Sequence, residues 1–390
     1  MIVSALCWLS AGLTTASCLY LLLALAAVAF HRPQAGPGWA VAPHVTLLKP
    51  LCGLETGLEE AIESFLSQKT TFPVRFIFGV ADREDPALDA VRKIAARYSG
   101  SSFEFVIDPT IRGSNPKVSN LINMAEVGLG DVVAISDSDI IIAPGTLQTA
   151  IDTLGTPGVG AVTTLYRARP GLPCDPVRSF GAWYIDYWDL PTQMLYARLA
   201  SPSVTYGPLT AIRGRVLDQI GGLSALANHL CDDAELGRLV RSAGHKIALT
   251  PAVAETLVND AGIRQLFNHE LRWARTTRGL VPVGYAASIV TNIGPVPLLL
   301  LLHPSVVGYA AITSPVLLRW LLATLIARRF GKASELATPG PIGLWLRDCA
   351  CFVIWAAAFV VGRVSWRGKQ LPVQGGDIVC RDRPLATPAI

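Results

Sequence analysis

Residues 131–140 read DVVAISDSDI, an apolar run that ends in two aspartates with one serine between them. Two carboxylates that close repel each other, so Asp137 and Asp139 call for a positive charge between or beside them. An EF-hand loop is excluded, because the following IIIAPG supplies neither the acidic spacing nor the closing glutamate. A phosphatase-type acid pair at a strand end uses the same residues and stays open. A second acidic pair, Asp232 and Asp233 in CDDAELG, begins a helix whose apolar face is Leu236, Leu239, Val240 and Ala243. Acids there either complement the helix dipole or do chemistry. Asp82 closes the run RFIFGVAD, whereas Asp85, just before Pro86, reads as a helix cap. Further on, IRQLFNHELRWARTTRGL (263–280) is basic and amphipathic, the pattern of a helix lying at a membrane surface. On that reading Trp273 is a belt residue; the other reading turns Arg272 and Trp273 toward a site.

The elements that must position these residues alternate. VTLLKPL (45–51), RFIFGVAD (75–82), SFEFVID (102–108) and DVVAISDSD (131–139) are short runs of strand composition. Between the first two, Leu58, Ala61, Ile62, Phe65 and Leu66 recur at helical spacing, and Leu88, Val91, Ile94, Ala95 and Tyr98 do the same before the third. NPKVSNLINMAEVG (115–128) is the next helix. Strands alternating with single helices imply right-handed crossovers and a parallel α/β sheet, with ligands beyond the carboxyl ends of its strands. Asp82 and Asp137 both fall at such ends.

The chain has 390 residues, 51% hydrophobic and only 16% charged, with a mean hydropathy of +0.42. Soluble domains run nearer a quarter charged, and here the apolar residues are segregated. Residues 3–30 carry no charge and are long enough for a hydrocarbon core of about 30 Å. They lack a basic leader, which favours a retained anchor over a cleaved signal peptide. Residues 280–302 and 304–327 read as a hairpin of apolar helices carrying Arg319, which needs a partner or a headgroup. Residues 349–362 form a shorter run that reads as re-entrant or interfacial. Arg32, Arg272, Arg275, Arg278, Arg328, Arg329, Lys332, Arg363, Arg367 and Lys369 flank these segments, which puts the middle domain and the tail in the cytosol. The net charge of +4, gathered near the apolar segments, points to anionic lipid headgroups and not to nucleic acid. Eight scattered cysteines without a CxxC pair imply neither a disulfide framework nor a zinc site. The aromatic-rich stretch 179–199, with Phe180, Trp183, Tyr184, Tyr187, Trp188 and Tyr196, reads either as a packing helix at the membrane edge or as a lining for an acceptor.

In order, LLKPLCGLE (47–55), VADREDPALD (80–89), NPKVSNLI (115–122), SDSDI, YGPLTAIRG with IGG (206–222), CDDAELG and HELRW resemble the ceramide glucosyltransferase family, glycosyltransferase family 21. They look most like its bacterial hopanoid-associated members. The resemblance implies a GT-A fold, Rossmann-like with a mostly parallel sheet, between an N-terminal transmembrane anchor (1–32) and C-terminal transmembrane or re-entrant helices (280–366). The GT-A domain would cover 40–260, the interfacial helix 261–279 and a cytosolic tail 367–390. It implies an inverting glycosyltransferase in a bacterial inner membrane that uses a UDP-sugar, UDP-N-acetylglucosamine, and a membrane lipid acceptor, a hopanoid such as bacteriohopanetetrol. The alternative pair is ceramide with UDP-glucose; a polysaccharide synthase and a non-catalytic membrane scaffold are the competing classes. Carried over by residue, Asp82, Lys117, Asn120 and Asp137 bind the nucleotide-sugar. Asp137 and Asp139 hold a divalent cation, Mg²⁺ or Mn²⁺. Asp233 is the general base, and Arg272 and Trp273 form the RW pair. The first position of that last motif is Gln or Arg in the family pattern and His269 here, so its role is left unassigned.

Overall fold

The computed structural model describes residues 1–32, 35–98, 100–199, 204–331 and 339–360, together with the backbone of three strands between 363 and 378. After α1 (Ile2–Ala29), the expected alternation appears as β1 (Val45–Pro50), α2 (Leu58–Leu66), β2 (Val74–Val80), α3 (Pro86–Ala95), β3 (Ser102–Ile107), α4 (Pro116–Ala125) and β4 (Val132–Ile135). Asp85 caps α3 as expected, its carboxylate accepting from Ala87 N. Asn115 caps α4 and Pro116 fills the first helical position. The chain continues through β5 (Ile140–Ile141), α5 (Thr146–Leu154), β6 (Val159–Pro170), α6 (Pro176–Tyr184), a π turn (Ile185–Asp189), α7 (Leu190–Leu199) and β7 (Thr210–Arg213). Then come α8 (Gly214–Gln219), α9 (Asp232–Ser242) and β8 (Lys246–Val258).

The eight strands form one sheet in the order β3-β2-β1-β4-β7-β6-β8-β5. Side chains alternate across it. Leu47, Phe76 and Phe78 join one core with α2, α3 and α5, while Leu48 and Ile77 join another with α4, α8 and α9, so helices cover both faces. β1, β2, β3 and β4 pair in parallel. The other half is mixed: β7 runs antiparallel to both β4 and β6, and β5 is antiparallel to β8. The reversal positions the site. Because β7 is antiparallel, its first residue, Thr210, lies opposite Ile135 at the end of β4, and the loop before it reaches the DSD sequence.

The apolar segments follow. α10 (Ile263–Leu280) leads into α11 (Pro282–Ala287), 3₁₀ turns at Ser288–Thr291 and Val296–Leu302, α12 (Val306–Phe330) and α13 (Pro341–Val360). The strands β9 (Arg363–Trp366), β10 (Lys369–Gln374) and β11 (Asp377–Ile378) form a small antiparallel sheet. The rest of the expected tail 367–390 lies outside the described residues. α1, α12 and α13 are each long and apolar enough to cross a membrane. Two expectations change here. The first arm of the expected hairpin is broken by a 57° bend, where Gly294, Pro295 and Pro297 interrupt the helix. Within the short run 349–362, the described residues 349–360 belong to a longer helix, Pro341–Val360. Its first turns also carry Arg347 and Asp348, which are paired inside the protein: Arg347 with Glu270 at 2.5 Å, and Asp348 with Trp188 Nε1 and Gly294 N.

Arg319 finds the partners it needs. Its guanidinium donates to Tyr187 O, inside the π turn, and to Thr291 O, beside the break. It lies 4.4 Å over Trp188 and 3.7 Å from Asp348. Away from water, carbonyls released by irregular backbone must be satisfied by protein, and this arginine does so at two irregularities together. At the other end of α12, Arg329 donates to Val28 O at 2.6 Å and Ala29 O at 2.8 Å, the last carbonyls of α1.

Candidate active site

Lys117 is the centre of the site. It stands in the first turn of α4, and its ammonium lies 2.8 Å from Asp137 Oδ1, 3.0 Å from Asp232 Oδ2 and 3.7 Å from Asp233 Oδ1. The expected sugar-nucleotide lysine, the first aspartate of DSD and the acidic pair of α9 thus converge. Lys117 and the acidic pair close on a cavity of about 10 Å³ lined also by Thr205, Gly207 and Thr210. Gly207 explains how the acids come so near. A methyl group there would lie 2.9 Å from Asp233 Oδ2 and 3.1 Å from Asp137 Oδ2. The two carboxylates face each other over bare backbone.

Asp233 is pushed up to about 8, first by burial and then by the repulsion of Asp232; Lys117 opposes both. A carboxyl in that range exchanges a proton near neutral pH, which is the property a general base requires. Asp232 is the more enclosed of the pair, 14% exposed against 28% for Asp233. It holds Lys117 more tightly as well.

The second acid of DSD looks the other way. Asp139 accepts from Thr256 Oγ1 at 2.9 Å, because β5 is paired with the end of β8. Burial raises its carboxyl to about 6, with added repulsion from Asp137 and Glu55. Glu55 accepts from Ser138 Oγ at 3.0 Å. Beneath them Lys49 is fully buried, 4.2 Å over the Phe65 ring, and donates to Asp137 O at 2.5 Å. Burial pulls this amine down to about 7 in spite of three nearby acids. Neither Lys49 nor Glu55 was singled out for chemistry, although both stand in the LLKPLCGLE stretch. A lysine in the middle of an apolar strand was the available signal.

The remaining expected residues divide. Asp82 lies exposed after β2, and its Oδ1 accepts from Glu84 N. Asn120 is turned inward: it is buried, and its Nδ2 donates to Gly79 O at 2.8 Å, fastening α4 to β2. A side chain at Gly79 would collide with Asn120 and Met124. Trp273 stacks on Tyr184 at 6.3 Å and 27°. It packs with Tyr206, the residue before Gly207, against an aromatic and aliphatic cluster shared by α1, α6, α12 and the π turn. Arg272 is half-buried one residue away. Three acids escaped sequence reasoning altogether. Asp186 and Asp189 sit buried in the π turn, raised to about 7 and about 6 by burial, and Asp260 holds His269 Nδ1 at 3.0 Å. Among the described residues, no three His, Cys, Asp or Glu side chains converge as a ready metal cage.

The family model for glycosyl transferase family 21 matches residues 9–379. The chain belongs to that family. Its relatives include ceramide glucosyltransferase 1 of Caenorhabditis elegans, 25% identical over 65% of this chain and 53% of that protein. Ceramide glucosyltransferase of Gibberella zeae is 32% identical over 34% of this chain and 27% of that protein. This family 21 chain therefore spans about half, or less, of the length of the curated relatives it matches. Among solved structures, the mannosyltransferase PcManGT of Pyrobaculum calidifontis, in complex with GDP-Man and Mn²⁺, aligns over 92% of this chain and 98% of its own. The TM-score is 0.55 at 19% identity. That likeness shows the GT-A fold, as the sequence motifs imply.

Proposed function

We propose that this family 21 member transfers a sugar from a UDP-sugar to a hydroxyl of a membrane lipid, by single displacement with inversion. One observation carries the reading. Asp233 and Asp137 face each other across Gly207 with Lys117 between them, and the neighbouring Tyr206 belongs to a cluster shared with the apolar helices α1 and α12. A polar reaction centre and a lipid-facing aromatic wall thus meet within two residues.

In this reading Asp82 receives the uridine, and Lys117 swings from the acids onto the diphosphate. Arg272 adds a fixed positive charge beside the leaving group. Asp233 takes the proton from the attacking alcohol on the opposite face, a gain of about 10²–10⁴-fold. With Asp233 acting as a base on the attacking alcohol and not as the nucleophile, an α-linked donor gives a β-glycoside. Trp273 provides the apolar floor on which the acceptor slides in from the membrane. Asn120, bonded to Gly79, keeps α4 and hence Lys117 in place.

A divalent cation fits the DSD sequence. Asp137, Asp139 and Glu55 supply hard oxygen donors, and Asp137 and Glu55 both add repulsion to an Asp139 carboxyl raised first by burial. Since they do not converge as a ready cage among the described residues, substrate phosphates would complete the shell. Mg²⁺ and Mn²⁺ are commonly held by one or two carboxylates completed by substrate phosphates. When bound, such an ion neutralises the departing diphosphate. PcManGT was solved with Mn²⁺ and a nucleotide-sugar, which supports this reading. We place the catalytic domain on the cytosolic side of a bacterial inner membrane, with the basic residues around α10 against anionic headgroups.

Two substrate pairs stand out. The sequence resemblance points to UDP-N-acetylglucosamine and a polyhydroxylated hopanoid, whereas the relatives' names point to ceramide, with UDP-glucose as donor. The test is turnover of both donors against bacteriohopanetetrol and ceramide in detergent, with Mg²⁺ or Mn²⁺, beside Asp233→Asn. Glycolipid from the wild type that is absent in the variant is expected, and the productive pair names the substrates. Product surviving in Asp233→Asn moves the base to Asp232, and no product with any pair refutes the transferase reading.

A further inference from the structure

His269 and Asp260 form a dyad that the proposed chemistry does not use. Asp260 follows β8 by two residues and is buried, its side chain 7% exposed; His269, in the second turn of α10, is 34% exposed. The carboxylate only accepts, so the 3.0 Å contact fixes the proton on His269 Nδ1 in either charge state of the ring. The Trp273 ring holds the imidazole from the side, centroids 4.3 Å apart and planes tilted by 60°. A buried acid and an indole therefore fix both the tautomer and the orientation, and Nε2 has no hydrogen-bond partner among the described residues.

That arrangement is a prepared hydrogen-bonding atom beside the aromatic floor. We propose that His269, oriented by Asp260, binds a hydroxyl of the lipid acceptor's head group adjacent to the hydroxyl that reacts. The choice of a hydroxyl follows from the ring. Nε2 accepts when the imidazole is neutral and donates when it is charged, and a hydroxyl satisfies both states, whereas a phosphate oxygen satisfies only the second. The choice of the acceptor follows from place. His269 contacts Trp273, which stacks on Tyr184 and packs into the cluster shared with α1 and α12. Among the described residues His269 contacts Asp260 and Trp273, and neither of the expected donor residues Lys117 and Asp137. The ligand class is a lipid with at least two neighbouring hydroxyls. The inference rests on the lipid-transferase reading.

The experiment compares wild type with His269→Phe, His269→Gln and Asp260→Asn, measuring KM separately for donor and acceptor. The acceptor is offered in two forms, one with neighbouring hydroxyls and a mono-alcohol on the same apolar tail. His269→Phe keeps a ring against Trp273 and removes the polar atom. It is expected to raise the acceptor KM about tenfold, the equivalent of one lost hydrogen bond, at unchanged donor KM. The same variant is expected to equal wild type on the mono-alcohol. His269→Gln is expected to recover most of the loss, and Asp260→Asn to fall between, because the ring keeps its contact with Trp273 and loses its anchor. An unchanged acceptor KM in His269→Phe, an equal rise for the donor, or the same penalty on the mono-alcohol overturns the inference and leaves the transferase standing. Absence of glycolipid from the wild type removes both.

Discussion

Replacing Lys117 by methionine tests the electrostatic centre of the site most directly. The ammonium lies 3.7 Å from Asp233 Oδ1. Two unit charges at that distance interact by about 4 kcal/mol at an effective dielectric of about 20 and by about 1 kcal/mol in bulk water. With the lysine 18% and the aspartate 28% exposed, an intermediate value of about 2 kcal/mol is appropriate, or about 1.5 pKa units. The sign is fixed. A positive neighbour favours the carboxylate, so its removal raises Asp233 further above its present value of about 8. The base acts deprotonated, so the rising limb of kcat/KM against pH moves to higher pH by about one to two units. The plateau falls too, because the diphosphate loses a charge partner, but the position of the limb is the measurement. Lys117→Arg keeps the charge and should keep the limb. Asp232→Asn removes a repelling charge and should move the limb to lower pH. A limb that stays fixed in both Lys117→Met and Asp232→Asn, with activity still measurable, refutes Asp233 as the group that titrates.

Other perturbations follow from single contacts. Gly207→Ala places a methyl 2.9 Å and 3.1 Å from the two facing carboxylates. Turnover should fall by about a hundredfold or more, because a displacement of about 1 Å costs that much, while the thermal midpoint in detergent stays within a few degrees. Lys49→Met removes the grip on Asp137 O and a buried charge together. The fold should persist, and because a competing positive charge beside the acids is gone, the concentration of Mn²⁺ needed for half-maximal activity should fall several-fold; an unchanged metal requirement refutes the assignment. Arg347→Met strands the buried Glu270 and should destabilise by about 3–5 kcal/mol, whereas the double variant with Glu270→Gln should regain much of that loss in a thermal-unfolding series.

What the sequence allowed and what it hid follow from the range of the contacts. The parallel half of the sheet was legible because each strand and helix carries its own apolar period, and Asp137 and Asp233 were legible because each stands where a regular element begins or ends. Asp85 was legible as a cap for the same local reason. Lys49 and Glu55 were hidden because their partners lie across the sheet. Asp260 pairs with His269 nine residues on, through a turn of the chain that no period announces. Asn120 shares a helix with Lys117, but its amide is drawn inward by a carbonyl of another strand. The start of α13 looked polar because the partners of Arg347 and Asp348 lie on α10 and in the loop at Gly294, so their charges could not be set aside from sequence alone.

The contact between Arg329 and the end of α1 has a consequence in time. The carbonyl of Ala29 receives its hydrogen bond from a residue made 300 positions later, and the same arginine adds to the bond that Val28 O already takes from His31 N. At about 5–20 residues per second of synthesis, that is an interval of about 15–60 s. Throughout it the Ala29 carbonyl lacks this partner, while the whole α/β domain emerges behind it. The wall of aromatic and aliphatic side chains beside Tyr206 stays incomplete as well, because α12 contributes Leu322, Ala323 and Ile326 to it. The acidic cluster around Lys117 is thus built first, and the aromatic and aliphatic wall beside it is closed only when the chain returns to where it started.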